Sequence, residues 1–470
     1  MATLKNYFYN TLYQIFVLLV PLVTIPYISR VLGPSGVGTN TLTSATVQYF
    51  VLLANLGLTM YGQREVAYCR ENKQDLSKTF WEIETLSIFT TIISLLCFGV
   101  FMKVVNNYQA YYLAQGILII ASAADISWFF MGLEKFKITV LRNFVFKIIS
   151  VIMIFTLVKN HGDLLQYILI VTLTTLLGNL SLWPYLKNLV IWINPKRFSL
   201  QKHFLPTLAL FIPQIAINIY TVLNKIMLGH MVSVKAAGFF DSSDKIIRMA
   251  LTLITAFTTV MMPHVANAFI KGKKNQVNEM LNGGLSFAII VSFPLLALIN
   301  GVVPKFVPWF FGEKFLPVIQ VMSIESFAII PIAFASILGV QYLIPLNKNK
   351  QYTISIFGGA FMNIIVNFPL IHMFQADGAA ISTIISETCV TILQFFFMRE
   401  VINVSPMFKV LIKVLIASVV MYIVVKVENM YLSASFVSFA IEGITGVIVY
   451  VLLLALLKLK ELKILGNLIK

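Results

Sequence analysis

Long apolar runs separated by short polar breaks recur along the whole chain, and that alternation leaves few folds open. Most runs reach about 20 residues, the length that carries an α-helix across a hydrocarbon core about 30 Å thick. Inside that core no water satisfies backbone N–H and C=O groups, so a span closes its own hydrogen bonds as a helix or joins a closed barrel. Barrel strands alternate apolar and polar residues. These runs are continuously apolar, and a helical bundle follows. The pattern predicts about fourteen membrane helices, near 8–31, 37–60, 83–104, 110–131, 141–158, 164–186, 205–228, 237–262, 281–303, 316–343, 353–373, 377–398, 409–427 and 433–457. No connection between them is long enough for a soluble domain, and the first run, entered through MATLKNYFYN without a small-residue cleavage pattern, reads as a helix and not as a removable signal.

Composition agrees. Of 470 residues, 59% are hydrophobic and 11% charged, where a water-soluble domain carries about 25% charge. The net charge of +16 would suggest nucleic acid in a soluble protein. Here the Lys and Arg residues sit mostly in loops, and topology accounts for them. With a cytoplasmic N-terminus, alternation through the predicted helices puts twenty-five of the 35 cations on the cytoplasmic side and seven on the other. This is the asymmetry of the positive-inside rule, and it predicts both termini in the cytoplasm. Cys69, Cys97 and Cys389 and the five His residues are too scattered for a disulfide framework or a metal site. No GxxxxGK[ST] loop is present to cradle ATP, so energy would come from an ion gradient or from chemistry elsewhere. No cofactor is expected. A membrane-embedded sugar polymerase or ligase would display its chemistry in a sizeable extramembrane loop; with no such loop, the chain is not expected to be an enzyme.

Helix 1 and the loop after it read Pro21, Pro26, Arg30-Val-Leu-Gly33, then Gly36 and Gly38; helix 7 and its loop read Pro213, Lys225-Ile-Met-Leu-Gly229, then Gly238. A repeat of six helices is even-numbered, so two copies would share one orientation, as in transporters built from parallel repeats. The expected division is 1–200 (helices 1–6), 201–402 (helices 7–12) and 403–470 (helices 13 and 14 with a basic tail).

Charges inside the spans are costly and mark function or pairing. Asp241, Asp244, Lys245 and Arg248 share one face of helix 8. They either neutralise each other as two i,i+4 pairs or form a binding face. Lys225 and Arg30 lie near helix ends, where a long side chain also reaches the interface by snorkelling. Glu325 and Glu387 sit near mid-span with no cation within a turn. Such a carboxylate either stays protonated against a neighbouring helix or exchanges an ion. Asp125 opens DISWFFMGLEKFK, whose Trp128, Phe129 and Phe130 fit an aromatic belt at the membrane surface.

Four stretches together carry a resemblance: PLVTIPYISRVLGPSGVGTNTL, YFVLLANLGLTMYGQREVAYCRENKQDLSKTF, DISWFFMGLEKFK, and the run from NKIMLG to DKIIR. In this order they resemble the Wzx-type polysaccharide flippases of the multidrug/oligosaccharidyl-lipid/polysaccharide exporter superfamily, over about Asn6 to Arg399. The resemblance implies two six-helix lobes in a V around a central cavity, with two further C-terminal helices. It implies a bacterial inner-membrane protein that moves undecaprenyl-diphosphate-linked oligosaccharide by alternating access to the outer leaflet, for O-antigen, capsule or exopolysaccharide. Membrane lipids, a polysaccharide polymerase and assembly proteins would be partners. Arg30 and Lys225 match the family's basic positions in the two lobes. With Lys245 and Arg248 they would bind the diphosphate, whose charge and acceptor oxygens suit Arg and Lys. Asp125, Asp241 and Asp244 would support or gate the cavity, and Glu325 and Glu387 would couple transport to protons or sodium. Asn224 departs from the acidic residue that many relatives place before the base. A drug/cation antiporter and a peptidoglycan lipid II flippase are the alternatives within the superfamily.

Overall fold

The computed structural model describes residues 2–402 and 404–459. The basic tail expected at Lys460, Lys463 and Lys470 lies outside them. Among the described residues all regular structure is helical, and eleven segments are long and apolar enough to cross a membrane. The chain is an all-α, multi-pass membrane protein. It divides into two compact units, Met1–Gly229 and His230–Lys470.

The first unit holds α1 (Ala2–Asn55), α2 (Leu58–Cys69), α3 (Lys73–Val104), α4 (Gln109–Ala123), α5 (Ser127–Gly132), α6 (Phe136–Leu157), α7 (Leu164–Leu180) and nearly all of α8 (Leu200–Met231). As the expected break between 8–31 and 37–60 requires, α1 is two helices meeting at a kink. Only Gly33 leaves the helical region inside it, at φ 68 and ψ 179, a conformation essentially reserved for glycine. Pro34 follows directly; at the start of a helical stretch its fixed φ helps and its missing N–H costs nothing. The Tyr27 hydroxyl donates to the Val158 carbonyl at 2.6 Å just before the bend, and a Cβ added at Gly33 would come within 3.3 Å of the His161 ring.

Helix α3 begins ten residues before the predicted 83. Asn72 caps it, accepting from the N–H groups of Gln74 and Asp75, and its first turns bury Leu76, Phe80 and Ile83. These pack with Trp128, Phe129 and Phe130, which are 2%, 0% and 0% exposed. The membrane-surface belt expected of these three aromatics is therefore wrong; they are core. Glycines let the helices close in: a Cβ at Gly62 would sit 2.5 Å from the Trp128 ring, and such small residues are what brings helices into contact inside a membrane. Helix α6 begins at Phe136, five residues before the predicted start. Arg142 and Lys147, within the predicted 141–158 and counted with the cytoplasmic cations, lie inside this helix.

The second unit holds α9 (Val234–Ile270), α10 (Lys274–Phe311), α11 (Val318–Glu325), α12 (Ile329–Ala335), α13 (Asn349–Met398), α14 (Val404–Tyr431) and α15 (Phe436–Leu456). The single helix predicted at 316–343 is subdivided. A 3₁₀ turn, Ser326–Ala328, separates α11 from α12, and a π-helical stretch, Ser336–Leu343, follows; π turns inside helices often mark functional positions. The pair predicted at 353–373 and 377–398 is present within α13 as two helices meeting at a kink at Gln375, φ 52 and ψ −125. Two of the eleven membrane segments, Leu19–Cys69 and Asn349–Met398, run for 51 and 50 residues. Each contains a kink where two helices meet, at Gly33 or Gln375, so neither is a single straight span.

Candidate substrate and coupling site

On α9 both i,i+4 pairs form. Lys245 Nζ lies 2.6 Å from Asp241 Oδ2, and Arg248 Nε donates to Asp244 Oδ1 at 2.6 Å. The two aspartate side chains are 7% and 5% exposed, the two cations 45% and 42%. Buried carboxylates thus orient two half-exposed cations on one helical face. Ser243, between the aspartates, reaches to another helix: its hydroxyl donates to Glu325 Oε2 at 2.5 Å. Glu325 is the last residue of α11, where the chain tightens into the 3₁₀ turn, and it is 1% exposed. Ser326 next to it accepts from Asn300 Nδ2 at 2.8 Å, tying the turn to α10.

Glu387 on α13 is 5% exposed and lies within the electrostatic reach of Arg248, Asp244 and Tyr352. Asp244, Arg248 and Glu387 therefore share one polar interior, and Ser243 joins Glu325 to the same helix. The isolation read for Glu325 and Glu387 from sequence is corrected here. Their polar neighbours come from another helix, at separations that reading along one helix does not reach.

Three residues singled out from sequence lie in the first unit. Arg30 is exposed, three residues before the Gly33 bend. Lys225 is partly exposed on α8, beside Asn224, which is buried. The echo between Arg30–Gly33 and Lys225–Gly229 does not extend to the backbone. Gly33 is a corner, whereas Gly229 remains inside α8, and the next helix starts at Val234, where Ser233 accepts from the Ala236 N–H. Gly229 instead permits close packing, because a Cβ there would lie 2.7 Å from Leu42 on α1. Asp125 accepts from the Ser127 N–H at 2.9 Å, bracing the start of α5, and its carboxylate is 4.0 Å from Arg142.

A buried polar chain escaped the sequence reading. His203 Nε2 lies 2.9 Å from Glu82 Oε2 and His203 Nδ1 2.7 Å from the Tyr61 hydroxyl, while the Ser199 N–H donates to Glu82 Oε1 at 2.7 Å. It ties the start of α8 to α2 and α3. Starting helix 3 at 83 placed Glu82 in a loop, and weighing histidines only for metal spacing dismissed His203. Glu84, inside the predicted 83–104, was not singled out: it is 1% exposed, and among the described residues neither carboxylate oxygen has a hydrogen-bond partner. The available signal was WEIET, two carboxylates at the mouth of an apolar run.

Bent helices, broken spans and buried paired charges on apolar helices describe a multi-pass membrane protein. The family match and curated relatives below place it among the transporters of the multidrug/oligosaccharidyl-lipid/polysaccharide exporter superfamily. The chain belongs to the polysaccharide biosynthesis protein family, which matches residues 3–269, and within it to the Wzx-type flippases. It is 22% identical over 414 residues to the putative O-antigen transporter of Escherichia coli K12, covering 84% of this chain and 96% of that one. With the lipid II flippase MurJ of Bacillus subtilis it shares 24% identity over 192 residues, 39% of this chain and 35% of that one. In fold it is similar to the inward closed conformation of a lipid II flippase MurJ, with a TM-score of 0.76 at 12% identity over 95% of this chain and 98% of that one. An inward-facing multidrug resistance MATE family transporter follows at a TM-score of 0.66 and 12% identity, covering 81% of this chain and 94% of that one.

Proposed function

We propose that the protein carries undecaprenyl-diphosphate-linked oligosaccharide from the cytoplasmic to the outer leaflet of a bacterial inner membrane, for surface polysaccharide assembly. The observation that carries this reading is the pair of half-exposed cations on α9, each held by a buried aspartate. A diphosphate offers negative charge and several acceptor oxygens. Arg meets these with a planar fork of donors and Lys with a point charge, and anchored side chains lose less freedom on binding. Lys245 and Arg248, with Arg30 and Lys225 of the first unit, are assigned to the head group. Asp241 and Asp244 support them, and Asp125 braces the first unit. The cycle would be alternating access, with both termini cytoplasmic and a polymerase and assembly proteins receiving the product. Glu387, close enough to Arg248 to feel its charge, and Glu325 are the groups for proton or sodium coupling.

One observation favours a second reading. With both glutamates ionised, Asp241, Asp244, Glu325 and Glu387 outnumber Lys245 and Arg248 among the polar groups of α9, α11 and α13, which suits a drug/cation antiporter. Proteoliposomes containing a defined lipid-linked oligosaccharide, lipid II or a cationic dye, with and without pH and sodium gradients, separate the cases. Leaflet exchange of the oligosaccharide lipid, lost in Arg30→Ala/Arg248→Ala, supports the first. Dye efflux blocked by Glu387→Gln supports the antiporter, and exchange of lipid II alone would make the protein a peptidoglycan precursor flippase.

A further inference from the structure

The first unit contains a polar cavity of about 310 Å³ between α6, α7 and the start of α5. On α6 its lining includes Arg142, Asn143 and Lys147; on α7 it includes Thr174, Thr175 and Asn179. Arg142 is set in place, its Nη1 donating to Asn179 Oδ1, while Asn179 Nδ2 donates to the Ala121 carbonyl at 2.6 Å. Lys147 and Asn143 are different. Among the described residues neither has a hydrogen bond or an ion pair. Lys147 is exposed and Asn143 half-exposed on the middle of an apolar helix, and an ammonium and an amide at such positions are costly unless water or a ligand meets them.

The direction in which the cavity faces narrows what that is. Leu141, Phe144, Val145, Ile149 and Ile152 form the exposed apolar side of α6, and Leu173, Leu177 and Leu180 that of α7. Stepping about 100° per residue, the centre of the cavity-lining face lies roughly 155° around each helix from the centre of that apolar side, with Arg142 and Thr174 at its edge. The cavity therefore turns away from the side that meets lipid tails. Arg142 and Asp125, 4.0 Å apart, offset each other and leave Lys147 as the excess charge in the wall, which disfavours a cation, and amide and hydroxyl groups surround the two bases. This combination recognises a hydroxyl-rich anion.

We propose that this cavity is a binding site for an anionic sugar, a sugar phosphate or a sugar acid, in which Arg142 and Lys147 take the anionic group and Asn143, Thr174 and Thr175 take hydroxyls. It extends the transport reading by adding a charge preference for the carbohydrate. It also stands apart from that reading, because binding is measured without translocation.

The test titrates α-D-glucose 1-phosphate, D-glucuronate and inorganic phosphate into the full-length protein in phosphatidylcholine nanodiscs by calorimetry. The expected result is binding of both sugars, weakened about tenfold or more in Lys147→Gln and restored in Lys147→Arg, as for loss and recovery of one charge-assisted contact. Lys147 makes no hydrogen bond or ion pair among the described residues, so its replacement does not threaten the fold as Arg142→Gln would; Asn143→Leu supplies an independent variant and should also weaken both sugars. Equal binding by wild type and Lys147→Gln overturns the proposal. So does inorganic phosphate binding as tightly as glucose 1-phosphate, which would make the cavity a simple anion site. Phosphatidylglycerol retained in native mass spectra of the wild type and lost from Lys147→Gln would assign the site to a phospholipid and overturn it too. A protein that binds both sugars but translocates nothing leaves this inference standing, and one that translocates without binding them removes it alone.

Discussion

Arg248 Nε meets Asp244 Oδ1 at 2.6 Å one turn apart on α9, with the aspartate side chain 5% exposed and the arginine 42%. Removing only the cation leaves a buried carboxylate with a lost partner, which is worse than removing both members of the pair. Arg248→Ala is expected to lower both the unfolding temperature and export. Asp244→Ala/Arg248→Ala should recover most of the temperature while leaving export at about a tenth of wild type or less. Differential scanning of purified protein and surface-polysaccharide output read the two effects separately.

Gly33 turns α1 at φ 68 and ψ 179. An L residue placed there costs about 1 to 3 kcal/mol of backbone strain, and a Cβ would also press on His161. Gly33→Ala should reduce the unfolding temperature. Gly99→Ala on α3, where a Cβ meets nothing within 4 Å, should not; equal losses in the two variants would show that the bend is unstrained.

Gln375 occupies a comparable corner of α13 at φ 52 and ψ −125, without the freedom of glycine. Gln375→Gly is expected to stabilise the second unit by about 1 kcal/mol, the strain removed slightly exceeding the entropy lost. A lower unfolding temperature in detergent would contradict this.

His203 connects Glu82 to Tyr61 at 2.9 and 2.7 Å with all three residues buried. Tyr61→Phe removes one hydrogen bond and should cost about 1 kcal/mol. His203→Leu withdraws a partner from a buried carboxylate and should cost about 3 kcal/mol. Limited proteolysis at the 187–200 connection reports the second change directly, since α8 would lose its tie to α2 and α3.

The apolar runs, their length and the uneven distribution of cations were enough to establish a helical membrane bundle, because a bilayer admits so few ways of closing backbone hydrogen bonds. Helical period alone also put Asp241, Asp244, Lys245 and Arg248 on one face, since i,i+4 neighbours are local. Which side chains meet across helices was not legible. The contact of Ser243 with Glu325 spans 82 residues and that of His203 with Glu82 spans 121, and no local pattern encodes a partner at such a distance. Helix ends were equally hidden at α3 and α6, whose first turns mix polar residues that read as loop with apolar ones; on α3 the apolar ones, Leu76, Phe80 and Ile83, join the core around Trp128. Sequence by itself determined the solvent this chain folds in and the elements that solvent permits. Only the tertiary structure decided how those elements pack and which charges they bring together, because these depend on contacts between helices far apart in the chain.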